Sequence, residues 1–414
     1  MKRLVGMCFF AACAHVHAAF DVALNKGAVA LTQLEVETDT DAIFLQDFYQ
    51  VFLQDINLPG RMDASLRSSS KSVADYRVSF KATRASESDA HQVCMYVSLG
   101  GGKRFSDQDK LYCQTFLPGA WREHVHQYSE VLYKRLLQMD APFTHKMVYV
   151  KEVPASPRVR YALELADYDG GNPKMLVSSK EPITSVSVSP DGKKIAYVSF
   201  EHHQSQAYIY DLDTNTRQAL PHYPGVNGAV SWSPDSKQLA TSLSISGAVQ
   251  IYIMDMESKR LTKATTSSSI EVDPVWSKDG NHLFFVSHRG EGVHIYKMHL
   301  ASRTIEKVTA FGAYNVSPSL SDSGDKMVYL SRVDHRLQAV LMDIEHGKTQ
   351  LIGSGRLDDA PKISKDGEYV LYSSVIGGNR FVHLKVLATG KARRLPIKHV
   401  GGKFLAWVQP AVST

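Results

Sequence analysis

Long apolar runs are scarce in this chain of 414 residues. The most apolar stretch, Leu4 to Ala12, falls far short of the ~20 residues that cross a bilayer, and no later stretch matches it, which excludes a transmembrane anchor. Cysteine is nearly absent, four in all, and Cys8 and Cys13 fall within the first thirteen residues. Charge of one sign is missing too: Lys and Arg number 47 against 42 Asp and Glu, a formal +5. So weak a balance gives no electrostatic case for a nucleic-acid partner. The one basic run, Arg393 and Arg394 after Lys391, reads as a solvated strand face. What remains is a foldable composition, 43% hydrophobic and 21% charged, on a chain too long for one ordinary core. Two domains, or a repeat array plus a domain, follow.

Lys2 and Arg3, the apolar stretch and the small-residue exit Val16-His17-Ala18 have the order of a secretory signal, with cleavage after Ala18. A competing reading takes Phe10-Ala11-Ala12-Cys13 as a poor lipobox that acylates Cys13 and tethers the chain. Export leaves Cys94 and Cys113, on two alternating runs either side of Gly100-Gly101-Gly102. Antiparallel pairing about that turn would bring them together in an oxidising compartment, making Cys94 and Cys113 a disulfide candidate; two buried thiols are the alternative.

Catalytic motifs are missing as well. There is no G-x-S-x-G nucleophile elbow, no His-Glu-x-x-His, no C-x-x-C and no Walker loop, since Gly100-Gly101-Gly102-Lys103 has the wrong spacing. Seventeen histidines invite a metal hypothesis, with His202, His203, His288 and His335 expected in loops on one face. No Cys or carboxylate cluster joins them at ligand spacing, so no metal, cofactor or catalytic residue is assigned.

Self-similarity is what the second half does have. Val188-Ser189-Pro190-Asp191-Gly192, Trp232-Ser233-Pro234-Asp235-Ser236, Trp276-Ser277-Lys278-Asp279-Gly280, Leu320-Ser321-Asp322-Ser323-Gly324 and Ile363-Ser364-Lys365-Asp366-Gly367 place their serines 44, 44, 44 and 43 residues apart. Four strands per ~44 residues is the period of a propeller blade. The turn has a local cause: Pro presets φ, Asp accepts backbone N–H groups and Gly supplies φ > 0. A sixth blade is split between the ends of the array. Its second to fourth strands are Met147-Val148-Tyr149-Val150, Tyr161 to Leu165 and Lys174 to Val177, and its first is Lys403 to Val408, where Trp407 falls in register with Trp232 and Trp276. The recurring tryptophans read as packing between blades. The expected architecture is a small N-terminal α/β domain followed by a six-bladed β-propeller: signal peptide 1–18, α/β domain 19–144, propeller 145–410 with 403–409 completing the first blade, and a tail 411–414.

The N-terminal domain has other grammar. Thr40 or Asp41 can cap a helix with Ile43, Phe44, Phe48, Val51 and Phe52 on one stripe, and a second helix after Pro118-Gly119 carries Trp121, Val125, Tyr128, Leu132 and Leu136. Between them lie an alternating strand, Tyr76-Val78-Phe80, and the cysteine hairpin. A mixed sheet with helices on one face is expected.

A cleavable leader, this α/β domain and six P-x-W-S-P-D-G-type blades closed by an Ala406-Trp407 strand resemble the TolB family, periplasmic propellers of the Tol-Pal envelope system. The resemblance covers essentially the whole mature chain and implies a binding protein without catalysis. It implies docking of the peptidoglycan-associated lipoprotein Pal on the propeller, engagement of inner-membrane Tol proteins by the N-terminal tail, and a role in outer-membrane integrity and envelope constriction during division. It further implies a periplasmic monomer with no membrane span. By position, the partner-facing turns precede each first strand: Thr184, Asn227, Gly228, Ala229, Val272, Asp273, Asn315, Ser317, Asp359, Ala360 and Lys403. Asp273, Asp358 and Asp359 would face Lys403 across the ring. Ala229 stands where the family has a small contact residue and Asp273 where it has an acidic one. Val226 replaces a polar position, and Phe20-Asp21-Val22-Ala23-Leu24 departs from the family's tail. Two rival classes stand beside this: a metal-dependent propeller lyase with a His-lined channel, and an envelope-binding propeller unrelated to Pal.

Overall fold

The computed structural model describes residues 17–20, 22–24, 34–37, 43–59, 61–62, 64–66, 76–84, 89–99, 106–156, 158–310, 312–353, 357–397 and 404–408. Most of the expected leader, the 411–414 tail, Gly100-Gly101-Gly102 and Lys403 lie outside the described residues. The chain divides into two compact units between Ala141 and Pro142.

In the first unit, helix α1 (Ile43–Asn57) and helix α2 (Trp121–Leu137) accompany strands Tyr76–Arg84, His91–Leu99 and Lys110–Phe116. The sheet is not mixed: both pairings are antiparallel, because each strand is joined to the next by a short connection that only antiparallel neighbours permit. Phe80, fully buried, explains why both helices sit on one face. The rings of Phe48, Phe52 and Tyr128 meet it edge-on with centroids 5.2, 5.0 and 5.6 Å away, an arrangement aromatic quadrupoles favour. His126 Nδ1 lies 2.9 Å from Asp55 Oδ2 and ties the helices through a buried pair. Cys94 and Cys113 stand directly opposite each other in the sheet and are bridged.

The second unit holds six four-stranded antiparallel sheets. Five are continuous in sequence, with first strands Ile183–Val188, Asn227–Trp232, Glu271–Trp276, Asn315–Leu320 and Asp358–Ile363. They are numbered here sheets 2 to 6. Sheet 1 is assembled from both ends of the unit: Lys146–Val153, Arg160–Asp167 and Lys174–Ser179 are joined by Leu405–Val408, which pairs with Lys146 to Tyr149. The first strands neighbour one another in cyclic order.

Apolar alternation explains the stacking. Residues of consecutive sheets form shared clusters, such as Val148, Leu163 and Val408 with Ile183, Tyr197 and Tyr208 between sheets 1 and 2, and Leu283, Phe285 and Trp276 with Ala240 and Ile251 between sheets 3 and 4. Two of the recurring tryptophans stitch the seams as well as fill them, whereas Trp232 fills its seam without a hydrogen bond from its indole N–H. Trp276 Nε1 donates to Ser231 O of the preceding sheet at 3.2 Å, and Trp407 Nε1 does the same to Lys362 O at 3.0 Å. That second bond crosses the seam between sheets 6 and 1.

Each Ser-x-Asp-Gly turn closes on itself. Ser189 Oγ donates to Asp191 Oδ1 at 2.5 Å, the same carboxylate accepts Lys193 N–H, and Ser189 Oγ accepts Lys194 N–H at 2.8 Å. Where the sequence shifts, Asp325 takes the carboxylate's place beside Ser321 and Ser323. The Ser277 hydroxyl, followed by Asn281, holds the Asp279 carboxyl down to about 2. These turns are structural punctuation.

Candidate partner-binding face

Antiparallel order decides which residues share an end of the second unit. The Ser-x-Asp-Gly turns join first and second strands at one end; the connectors from second to third strand, and from each sheet to the next first strand, open at the other. The candidate residues other than Lys403, which lies outside the described residues, belong to that other end, but the structure places them inside the first strands rather than in the turns before them.

A bulge interrupts the pairing of first and second strand at the same repeat position in sheets 2 to 6, between Thr184/Val186, Asn227/Val230, Val272/Val275, Val316/Ser319 and Asp359/Lys362. At four of these bulges a non-glycine residue takes left-handed backbone: Ser185 (φ 56°), Asp273 (φ 51°), Ser317 (φ 56°) and Ala360 (φ 48°). Such conformations cost about 1 to 3 kcal/mol each and persist only where the surroundings impose them. At Ser185 the neighbouring sheet contributes: Val230 N–H donates to Ser185 Oγ at 3.0 Å. The repeated bulge places Ser185, Ala229, Asp273, Ser317 and Ala360 around one central cavity of about 100 Å³, and Phe404 of sheet 1 completes its lining. No sequence signal marked it, since αL backbone at Ser, Asp and Ala has no residue signature.

Asp273 and Lys362 put opposite charges into this cavity. Lys362 keeps some accessible surface because the cavity is open, yet protein surrounds its amine, and that burial pushes its pKa down while Asp273 pulls it back up. The sign of the stability effect follows. Below its native pKa Lys362 is charged in both folded and unfolded chains, and the folded chain bears the full desolvation penalty; the penalty fades as pH rises toward the unfolded value near 10.4. Because Asp273 is part-exposed and its carboxylate can stay solvated without the amine, Lys362→Met should raise stability at pH 7 by about 1 kcal/mol through removal of the desolvation penalty, and the melting temperature with it. The gain should shrink by pH 10, read by calorimetry at both values; a gain that grows with pH would refute the assignment.

Several candidates are anchors, not contact residues. Asn227, Asn315 and Asp358 are buried at one repeat position, together with Glu271. Asn227 Nδ2 donates to Tyr223 O at 2.8 Å while its Oδ1 accepts Tyr223 N–H at 3.1 Å. Asn315 Nδ2 meets His294 Nδ1 at 3.2 Å, and Asp358 Oδ2 accepts Ala339 N–H at 3.1 Å. Asp359 is buried beside Arg380 at 3.2 Å, and Ala360 is buried as well. The expectation that Asp358 and Asp359 face Lys403 across an open mouth is thus corrected: both carboxylates are spent inside sheets 5 and 6. Thr184, Gly228, Ala229, Val272, Asp273 and Ser317 remain partly accessible.

The accessible rim lies one residue earlier. Val226, Ile270 and Leu357 each immediately precede a buried anchor and are 47%, 44% and 43% exposed. Pro182 and Tyr314 occupy the same repeat position, with Arg332 4.6 Å above the Tyr314 ring. Ile245, in a connector at this end, and Ile376, the last residue of a second strand, are also exposed. The repeat thus presents exposed aliphatic side chains on three sheets at the cavity's end of the unit. Sequence reasoning passed over them because single exposed aliphatics are unremarkable.

The opposite end of the cavity is strapped. Lys365 Nζ donates to Pro190 O at 3.1 Å and Lys278 Nζ pairs with Asp322 Oδ2 at 2.8 Å. Burial lowers the Lys365 pKa, with Asp322 opposing. His202, His203, His288 and His335 lie in connectors between second and third strands, exposed and at the rim end.

Comparison with known proteins places this architecture. The model of the TolB beta propeller domain matches residues 133–410. The Tol-Pal system protein TolB of Acinetobacter baylyi is 43% identical over 108 residues, 26% of this chain and 25% of that protein. TolB of Coxiella burnetii is 41% identical over 129 residues, 30% of each. These matched stretches span between a quarter and a third of the curated relatives. The crystal structure of TolB from Acinetobacter baumannii superposes with a TM-score of 0.80 at 26% identity, covering 94% of this chain and 99% of that one. Among the described residues no helix is long and apolar enough to cross a membrane.

Proposed function

This chain belongs to the TolB β-propeller family, and from that premise we propose that it is a periplasmic, non-enzymatic docking protein of the Tol-Pal system that binds a Pal-type lipoprotein. The six sheets act as blades of a closed six-bladed propeller within the second unit, and envelope integrity and constriction depend on the docking. The observation that carries the reading is the exposed apolar rim, Val226, Ile270 and Leu357, set at one repeat position at the cavity's end of the unit. A convex protein partner would bury those side chains while Ala229, Asp273 and Ser317 line the deeper part of the contact. Buried apolar contacts at the centre of an interface each cost about 2 kcal/mol or more when lost, whereas peripheral charges mostly alter on-rate. Engagement of inner-membrane Tol proteins by the N-terminal tail is part of the same proposal.

Val226→Asp combined with Ile270→Asp should weaken binding of a soluble Pal ectodomain by at least about 30-fold, the equivalent of one such contact, and leave the melting temperature within about 2 °C because both side chains already face water. Lys278→Ala, at the strapped end, should change neither, since an exposed ion pair contributes ~0 to 1 kcal/mol. Calorimetric titration decides. Equal weakening by Lys278→Ala would put the contact at the wrong end; no binding by the parent protein would remove the Pal reading.

A further inference from the structure

One repeat position in the first strands carries a single charged residue. Trp276 Nε1 donates to Ser231 O and Trp407 Nε1 to Lys362 O, so Ser231 and Lys362 occupy the same place in their sheets. In the other first strands that place is filled by Ser187, Val275, Ser319 and Ala406, none of them charged. Two of these serines serve the seams: Ser187 Oγ accepts Trp232 N–H at 3.4 Å, and Ser319 Oγ accepts Ile363 N–H at 3.2 Å. Lys362 alone brings a long cationic side chain to this position, and it lines the central cavity.

Protein surrounds the Lys362 amine, yet the amine makes no hydrogen bond or ion pair with a described residue. Among the described residues that line the cavity the one other charged group is Asp273, which belongs to sheet 4 while Lys362 belongs to sheet 6, and it acts on the amine through its charge alone. Lys365 at the strapped end shows the contrast: it too is desolvated, but its Nζ donates to Pro190 O at 3.1 Å. A desolvated ammonium without a hydrogen-bond acceptor destabilises the chain that carries it. Its position in a cavity points to an acceptor that comes from outside.

Size narrows what that acceptor can be. The cavity's volume of about 100 Å³ equals roughly three waters at ~30 Å³ each and falls well below the ~300 to 1,000 Å³ of sites for small molecules and cofactors. It suits the end of one side chain. The cavity also lies at the end of the unit where Val226, Ile270 and Leu357 are exposed, so a partner seated there can reach it. Resting on the docking reading above, we propose that the cavity receives one acidic side chain of the Pal-type partner, whose carboxylate pairs with the Lys362 amine. A charge-assisted hydrogen bond of this kind forms where protein already excludes most water, which strengthens it. The same amine thus destabilises the free chain and tightens the complex.

The test is calorimetric titration of a soluble Pal ectodomain into the mature protein and into its Lys362→Met variant. The variant should bind at least about 30-fold more weakly while melting above the parent, which excludes misfolding as the cause. Undiminished binding by the variant would overturn the proposal, and so would tighter binding, the mark of a basic side chain drawn to Asp273 instead. A second measurement does not depend on how the variant folds: each Asp and Glu of the Pal ectodomain is replaced singly by Asn or Gln. One replacement should weaken binding to the parent by a similar factor and alter binding to the Lys362→Met variant by less than about 2-fold, the coupling expected of a direct pair. Additive losses for every replacement would overturn the proposal even where the variant binds weakly. In each of these outcomes the parent still binds and the docking reading stands. Absence of binding by the parent would remove that reading and this inference with it.

Discussion

Removal of residues 404–414 should abolish cooperative unfolding of the second unit. Leu405–Val408 is the first strand of sheet 1 and pairs with Lys146 to Tyr149, some 260 positions earlier in the chain, a separation on the order of the whole unit. Leu405, Ala406 and Val408 are 1%, 7% and 6% exposed, and Ala406 and Val408 belong to the core shared by sheets 1 and 2. Phe404 packs against that core, and Trp407 donates to Lys362 O across the seam with sheet 6. Burying aliphatic side chains of this size contributes roughly 1.5 to 3 kcal/mol each. Losing the set removes an amount comparable with the roughly 5 to 15 kcal/mol that holds a domain folded. Deletion would also leave sheet 1 with an unpaired edge at Lys146–Val153 and bare apolar faces toward its neighbours, the template for aggregation. The truncated protein should elute as aggregate on size exclusion and show no sharp calorimetric transition. A chain ended after residue 410 retains the strand and should melt like the parent. A monomeric, parentally stable 1–403 chain would mean that this strand does not hold the unit together.

That strand was legible in the sequence because the repeat is strict. Trp407 falls one period beyond Ile363, and the turn chemistry of Ser, Asp and Gly marks every boundary, so sheet membership follows from counting. The face itself was harder to read. Asn227, Asn315 and Asp358 look like loop polar groups in a linear sequence, and only the fold reveals that they open the first strands as buried residues that satisfy backbone and side-chain partners. The exposed rim at Val226, Ile270 and Leu357 was hidden for the converse reason: an aliphatic residue before a strand reads as the strand's own core. In the first unit, spacing gave both helices, whereas the direction of strand pairing depends on connection lengths that composition does not encode.

Glu271→Ala should be the most damaging single substitution among the buried anchors. Its carboxylate is fully buried and takes Arg289 Nη2, Ser267 Oγ at 2.9 Å and Ser287 Oγ at 3.4 Å. Arg289 cannot simply swing into water once its partner is gone. Its guanidinium lies 5.5 Å from the Phe285 centroid and 5.2 Å from that of Tyr296, and its Nε donates to Ser287 Oγ at 3.1 Å. Breaking a buried pair by removing one member costs about 3 to 5 kcal/mol, which at ~2 to 4 °C per kcal/mol lowers the melting temperature by roughly 10 °C. Asn227→Ala, at the same repeat position in sheet 3, removes only neutral hydrogen bonds and should cost about 1 to 3 kcal/mol. The ordering is the informative part, since charge rather than position separates the two. Glu271→Ala with Arg289→Ala should recover part of the loss, because it removes the stranded guanidinium as well. Ile270 of the rim is bonded directly to Glu271, so the single substitution should also weaken Pal docking in titrations run well below the transition. A Glu271→Ala protein that melts with the parent, or above Asn227→Ala, would show that this ion pair neither holds sheet 4 nor positions the rim.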